Sequence, residues 1–194
     1  MRKALMIDCC IRGEQSQTRK LLEQFTAALP ACWQQERLLL EEENLSCLTG
    51  AYFQARERLL AAGKLEHPRF RYAHQLAQAE LVVVAAPFWD LSFPALLKVY
   101  IEQVCVDGIT FGSGHGGLVG LCRAKDLVFL TTRGGIYTGD DMEMGSRYME
   151  AMSRFWGIDH YHCVAVDGMN MSRFHQGDLM QRAAAEAEAL AKAL

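Results

Sequence analysis

The stretch ELVVVAAP, residues 80–87, constrains this chain more than any other segment. After Glu80 come six uncharged residues, three of them consecutive valines, and then a proline. A strand with one wet face alternates apolar and polar residues, whereas a strand covered on both faces reads as a continuous apolar run. The β-branched content favours a strand, and Pro87 stops it. Such a strand belongs inside a parallel sheet, and parallel neighbours are reached only through crossover connections, usually helices.

The rest of the chain supplies those connections. Residues 3–8 read as a buried strand. Residues 17–29 read as an amphipathic helix with Leu21, Leu22, Phe25, Ala28 and Leu29 on one face, opened by Ser16 as N-cap and ended by Pro30. Residues 34–40 form a second strand, and about 47–78 form a polar, helix-rich stretch broken near Gly63 and Pro68. Pro94 suits the first turn of a helix reaching about Val106. FGSGHGGLVG, 111–120, is a glycine-rich irregular or hairpin segment. A buried strand at 125–132, a helix at about 141–156, a strand at 159–166 and a helix at about 178–193 complete the alternation. This is an α/β pattern over 1–194 as one domain, with helices on both faces of a parallel sheet.

Composition excludes several function classes. The 194 residues are 51% hydrophobic and 22% charged, with net charge −3 and no basic stripe, which argues against a nucleic-acid partner. Only four apolar residues separate Met1-Arg2-Lys3 from Asp8, too few for a secretory leader, and no apolar run approaches the roughly 20 residues that span a bilayer. A soluble cytoplasmic protein without a membrane partner is expected. The seven cysteines include no Cys-x-x-Cys pair and read as reduced packing residues. Cys9 and Cys10 are adjacent at a strand end, where their side chains point to opposite faces and close a disulfide only with strain. His160-x-His162 puts two imidazoles on one face of a strand, but no third ligand stands at useful spacing, so no metal site is assigned. Met142, Met144, Met149 and Met152 lie in or near one helix and suit packing or a subunit interface.

In an open parallel sheet, ligands sit outside the carboxyl ends of the strands, so the three loops after the strands at 3–8, 80–87 and 125–132 carry the chemistry. The first, Cys9–Thr18, has neither a dinucleotide-binding glycine fingerprint nor a P-loop lysine. It offers a turn at Gly13, the side chains of Ser16, Gln17 and Thr18, and a helix N-terminus that favours an anion, with Arg12 or Arg19 adding charge. Simple capping by Ser16 explains the same residues. The second, APFWDLSFPALLK (86–98), sets Phe88, Trp89 and Phe93 between two prolines. These aromatics suit either the face of a flat ring or a core or interface. The third, TTRGGIYTG (131–139), combines Arg133 with Gly134-Gly135, either a loop of close backbone approach beside a cation or an ordinary turn. Together the loops describe a phosphate cradle, an aromatic platform and a glycine loop, the parts needed for a mononucleotide with a flat redox ring.

On these residues the sequence resembles the flavodoxin-like FMN-dependent NAD(P)H:quinone oxidoreductases and azoreductases over essentially its whole length. Cys10 followed by Ser16-Gln17-Thr18 resembles the family's serine-rich loop. Pro87-Phe88-Trp89-Asp90-Leu91 resembles its Pro-Met-Tyr-Asn-Phe segment, GITF (108–111) its Gly-Val-Thr-Phe, and Thr132-Arg133-Gly134-Gly135 with Tyr137 its Ser-Arg-Gly-Gly loop. The resemblance implies a doubly wound five-stranded sheet of order 2-1-3-4-5 and a homodimer with one FMN per subunit. Phosphate would lie against Cys10, Arg12 and Ser16–Thr18, and the ring between residues 87–91 and 132–137. It also implies hydride transfer from NADH or NADPH through FMN to a quinone, azo or nitroaromatic acceptor in ping-pong order, with no side-chain acid or base assigned.

Three departures from the family pattern bear on the flavin. Cys10 stands where a serine would donate to phosphate, and a thiol donates weakly. Asp90 replaces an asparagine, placing a charge that opposes an anionic reduced ring. Trp89 replaces a tyrosine and enlarges the platform. Weaker FMN binding or a lower reduction potential is the expectation. A flavodoxin-type electron carrier and a scaffold that has lost flavin are the alternatives, although a carrier usually shows a more strongly acidic surface.

Overall fold

The structure is a computed structural model that describes residues 1–114 and 116–194; His115, within the predicted glycine-rich segment, lies outside the described residues. Five parallel strands form the central sheet: β1 (Arg2–Asp8), β2 (Trp33–Leu39), β3 (Leu81–Ala85), β6 (Asp126–Thr132) and β7 (His160–Val166), in the order β2-β1-β3-β6-β7. Taken among themselves the five run 2-1-3-4-5, as expected. The short strands β4 (Phe111–Gly114) and β5 (Gly117–Gly120) form a separate antiparallel hairpin. The helices are α1 (Gln17–Ala28), α2 (Gly50–Ala61), α3 (Arg71–Gln78), α4 (Ala95–Val104), α5 (Gly145–Phe155) and α6 (Gln176–Ala193).

The continuous apolar strands bury both faces because each face feeds a different core. Ile7, Val84 and Phe129 stand in register across the sheet and pack with Leu76, Tyr100, Met152 and Trp156 from α3, α4 and the end of α5. Met6, Val83 and Val128, one residue back in each strand, pack with Leu21, Leu22 and Phe25 of α1 and Ala183 and Ala187 of α6. The period-2 alternation carries on past the strand: Cys9 joins the first core and Cys10 the second. Both are free thiols. The small alanines of α6 let it lie close against the sheet and α1.

Several boundaries differ from the sequence expectation for local reasons. The helix predicted from about 141 begins at Gly145, because the Asp140 carboxylate accepts the Met142 N–H at 2.8 Å and closes a side-chain turn instead. The last helix begins at Gln176, two residues early. Met149 and Met152 are core residues, whereas Met142 and Met144 are exposed. The hairpin packs on the end of α5 at Gly120, where a Cβ would stand 2.0 Å from the Gly157 nitrogen, so no side chain fits there. Helix α2 fully buries none of its residues; Leu59 and Leu60 pack against the Phe70–Ile109 cluster, and arginines add further links. Arg56 donates to the Cys105 carbonyl at 2.8 Å, and the Arg69 guanidinium lies 3.8 Å over the Tyr52 ring. On β7, His160 and His162 both face the Asp126 carboxylate, at 3.3 and 2.9 Å. Among the described residues no helix is long and apolar enough to cross a membrane.

Candidate functional site

The first strand-end loop is anchored by a buried charge. Asp8, the last residue of β1, accepts from the Cys10 N–H at 2.9 Å, from Arg19 Nε at 2.9 Å and from Arg37 Nη2 at 2.6 Å. Burial alone would raise its pKa, but the Arg37 bond and the Cys10 and Arg19 donors outweigh it and hold the carboxyl below its ordinary value. Arg19, offered by the sequence as a ligand cation, is therefore committed to Asp8. The chain then turns at Gly13, whose φ of +54° favours glycine, and Ser16 accepts the Arg19 N–H at 3.3 Å as N-cap of α1. Ser16 also faces a cleft at this helix end.

The second loop extends the pairing of β3 and then reverses sharply. Phe88 N–H donates to the Thr132 carbonyl at 3.0 Å, fixing the Pro87-Phe88 corner beside β6. Trp89 and Ser92 exchange backbone bonds of 3.1 and 2.8 Å around Asp90 and Leu91, which have φ values of +48° and +68°. Two positive φ values between paired residues mark a primed two-residue turn. The turn exposes Trp89 and Leu91, 42% and 40% respectively.

The third loop is pinned by the segment after β7. The carbonyls of Arg133, Gly134 and Gly135 accept the N–H groups of Met169, Asn170 and Gly168 at 3.0, 3.0 and 2.8 Å. A Cβ at Gly134 would stand 2.7 Å from the Asn170 side-chain nitrogen, so any side chain there would displace the Asn170 amide. Arg133 is only 3% exposed and its guanidinium lies between Glu143 and Asp167, 3.3 Å from each. The cation expected beside the glycine loop is thus balanced by two carboxylates. Asp167 also accepts the Tyr137 and Thr138 N–H groups at 3.1 and 2.8 Å. Burial works against its charge, yet the Thr138 and Tyr137 donors and Arg133 hold its pKa down.

These loops enclose a cleft of about 330 Å³, within the range of small-ligand sites. Of the fifteen residues singled out in the sequence, nine line it: Arg12, Ser16, Gln17, Pro87, Phe88, Trp89, Thr132, Arg133 and Gly134. Six do not. Cys10 is buried with its thiol on the Ala85 carbonyl at 3.6 Å, and burial followed by the Asp8 charge pushes its pKa up. Thr18 is fully buried and shares a 2.7 Å hydrogen bond with Thr132. Asp90 and Leu91 sit in the exposed turn, outside the residues that line the cleft. Gly135 is not among the lining residues, and Tyr137 packs on Phe88 with ring centroids 4.6 Å apart.

The sequence reading missed Gln15, Met169, Asn170 and Gln176. The last three follow β7, and the strand-end rule that selected the other loops would have found them had it been applied to that strand too. The lining residues include Arg12, the carboxylate-paired Arg133 and four side-chain amides, but no carboxylate. With the N-terminus of α1 opening onto it, this cleft suits a phosphate at one end and a flat polar ring at the other.

A sequence-family profile described as "Flavodoxin-like fold" matches residues 2–191. The FMN-dependent NADH:quinone oxidoreductase of Clostridium perfringens is 33% identical over 205 residues, covering 99% of both chains. The FMN-dependent NADH:quinone oxidoreductase 2 of Clostridium acetobutylicum is 39% identical over 135 residues, covering 68% of this chain and 67% of that one. Among solved structures, the azoreductase from Bacillus anthracis str. Sterne superposes with a TM-score of 0.87 at 28% identity, covering all of both chains. The chain belongs to the flavodoxin-like family that includes these FMN-dependent NADH:quinone oxidoreductases and azoreductases.

Proposed function

We propose that residues 1–194 act as one flavodoxin-like unit that uses FMN to pass a hydride from NADH or NADPH to a quinone, azo or nitroaromatic acceptor. One observation carries the reading. The N-terminus of α1, the Phe88-Trp89 corner and the Gly134 wall converge on a single cleft with no carboxylate among its lining residues.

Arg12, Ser16 and Gln17 would hold the phosphate, through charge, hydroxyl and the free N–H groups of the helix end. Phe88, Trp89 and Gly134 would receive the ring, and the amides of Asn170 and Gln176 can bond its polar edge. FMN, when bound, supplies reversible two-electron chemistry. The protein contributes position: Pro87 and the primed turn fix the aromatic corner, and the backbone ladder from 133–135 to 168–170 fixes the opposite wall. The exposed Trp89 offers donor and acceptor in turn one aromatic surface to stack on, which suits ping-pong order. No side chain is assigned as an acid or base.

A homodimer fits the same region. Trp89, Leu91, Met142 and Met144 are all exposed, and the Leu91 carbonyl accepts the Met144 N–H at 2.9 Å, which brings two of them together. A cytoplasmic location fits the seven free cysteines.

The test is a flavin titration followed by turnover. The purified chain is expected to take up one FMN per subunit with a shift in visible absorbance, and then to oxidise NADH steadily with a quinone. Absence of FMN uptake would sink the proposal; uptake without NADH turnover would leave the electron-carrier reading.

A further inference from the structure

We propose that Glu143 is a positioning residue that locks the aromatic and glycine walls of the cleft against each other. The consequence for flavin rests on the reading above; the locking itself does not. Glu143 is 4% exposed and touches no residue that the sequence motifs singled out, except Arg133. Its carboxylate serves two structures at once. One oxygen is ion-paired with Arg133 Nη2 at 3.3 Å and accepts the Ser146 N–H at 2.9 Å, while the other accepts the Ser146 hydroxyl.

The Arg133 arm reaches the glycine wall. Arg133 also binds Asp167, which holds the Tyr137 and Thr138 N–H groups. The Ser146 arm reaches the aromatic wall, because it sets the first turn of α5 where the second loop rests. Met144 N–H donates to the Leu91 carbonyl at 2.9 Å, and a Cβ on Gly145 would stand 3.3 Å from the Ser92 carbonyl oxygen. Tyr137 then closes the circuit by packing against Phe88. Two loops some forty residues apart in sequence are thus joined through one buried carboxylate. Removing it leaves Arg133 with one anion instead of two and frees the helix end on which the Trp89–Ser92 turn rests.

Replacement by alanine and by glutamine separates this role from a simple helix cap. Glutamine keeps an acceptor toward Arg133 and the Ser146 N–H, and the Ser146 hydroxyl can rotate to accept from its amide. In Glu143→Ala, amide hydrogen exchange of Met144, Tyr137 and Thr138 should accelerate together, by about tenfold or more. FMN binding should weaken about tenfold as the binding-competent arrangement becomes the minor one. Glu143→Gln should restore most of both.

Acceleration confined to the first turn of α5, with Tyr137 and Thr138 unchanged, would overturn the proposal and leave Glu143 a cap. If the alanine variant does not fold, the wild-type chain still decides. The Met144 and Thr138 amides should open with one common denaturant dependence, and two separate dependences overturn the coupling. A wild type that binds no FMN removes the proposed function, and the exchange data still judge Glu143.

Discussion

At the scale of single residues, a charge buried beneath the first strand-end loop holds that loop in place. Cys10 drew attention as a thiol at a serine position, but its side chain turns into the core below α1, and no lining of the cleft depends on it. What shapes that loop is Asp8, a residue with no motif around it, because its meaning depends on Arg37 in the neighbouring strand and Arg19 in the following helix. Non-local pairing of this kind leaves no local signal. Asp8→Asn removes the charge that two arginines share and is expected to cost about 3 kcal/mol, measured as a lower urea midpoint. The pH dependence follows from the lowered pKa. Above the ordinary value of 3.8 the carboxylate is ionised in both folded and unfolded chains and its stabilisation is complete. As pH falls below 3.8 the unfolded chain takes up the proton first, and the stabilisation is lost through the lower folded value. Wild type should therefore lose stability in that acid range more steeply than Asp8→Asn.

Elements were legible where periodicity was strong. The run at 81–85 and the apolar face of α1 each read directly, because burial imposes a period of 2 or 3.6 on the sequence. The helix expected from about 141 starts only at Gly145, because Asp140 forms a turn and Glu143 a capping carboxylate ahead of it. The Trp89–Ser92 turn was not foreseen, since Asp-Leu lacks the glycine that such turns prefer. Leu91, at φ +68°, holds a left-handed conformation that costs a non-glycine residue about 1 kcal/mol. Its carbonyl, not its half-exposed side chain, makes the bond to Met144. Leu91→Gly should accordingly raise stability by up to about 1 kcal/mol, and Leu91→Val should lower it by a similar amount, since β-branching opposes positive φ further. Equal urea midpoints for the two variants would mean that the turn stores no strain.

For the molecule as a whole, the order of the sheet decides where a ligand can act. The chain reverses direction of growth between β1 and β3, and the loops after both strands open on the same cleft. Its lining comes from residues 12–17, 87–89, 132–134 and 169–176, so almost the full length of the chain must be folded before the site exists. The unfolded chain then holds no comparable site, and a ligand that binds only the folded form stabilises it by mass action. At a hundred times its dissociation constant, FMN should add about 2.7 kcal/mol, which for a chain of this size raises Tm by roughly 5–10 °C. Riboflavin offers the same ring without the phosphate, so its shift at equal concentration should be smaller if the α1 end of the cleft holds an anion. Arg12→Ala should bring the FMN shift down toward the riboflavin value while leaving the riboflavin shift unchanged. Equal shifts for the two ligands in wild type would show that the phosphate is not held at the first loop, and the cradle formed by Arg12, Ser16 and Gln17 would have to be abandoned.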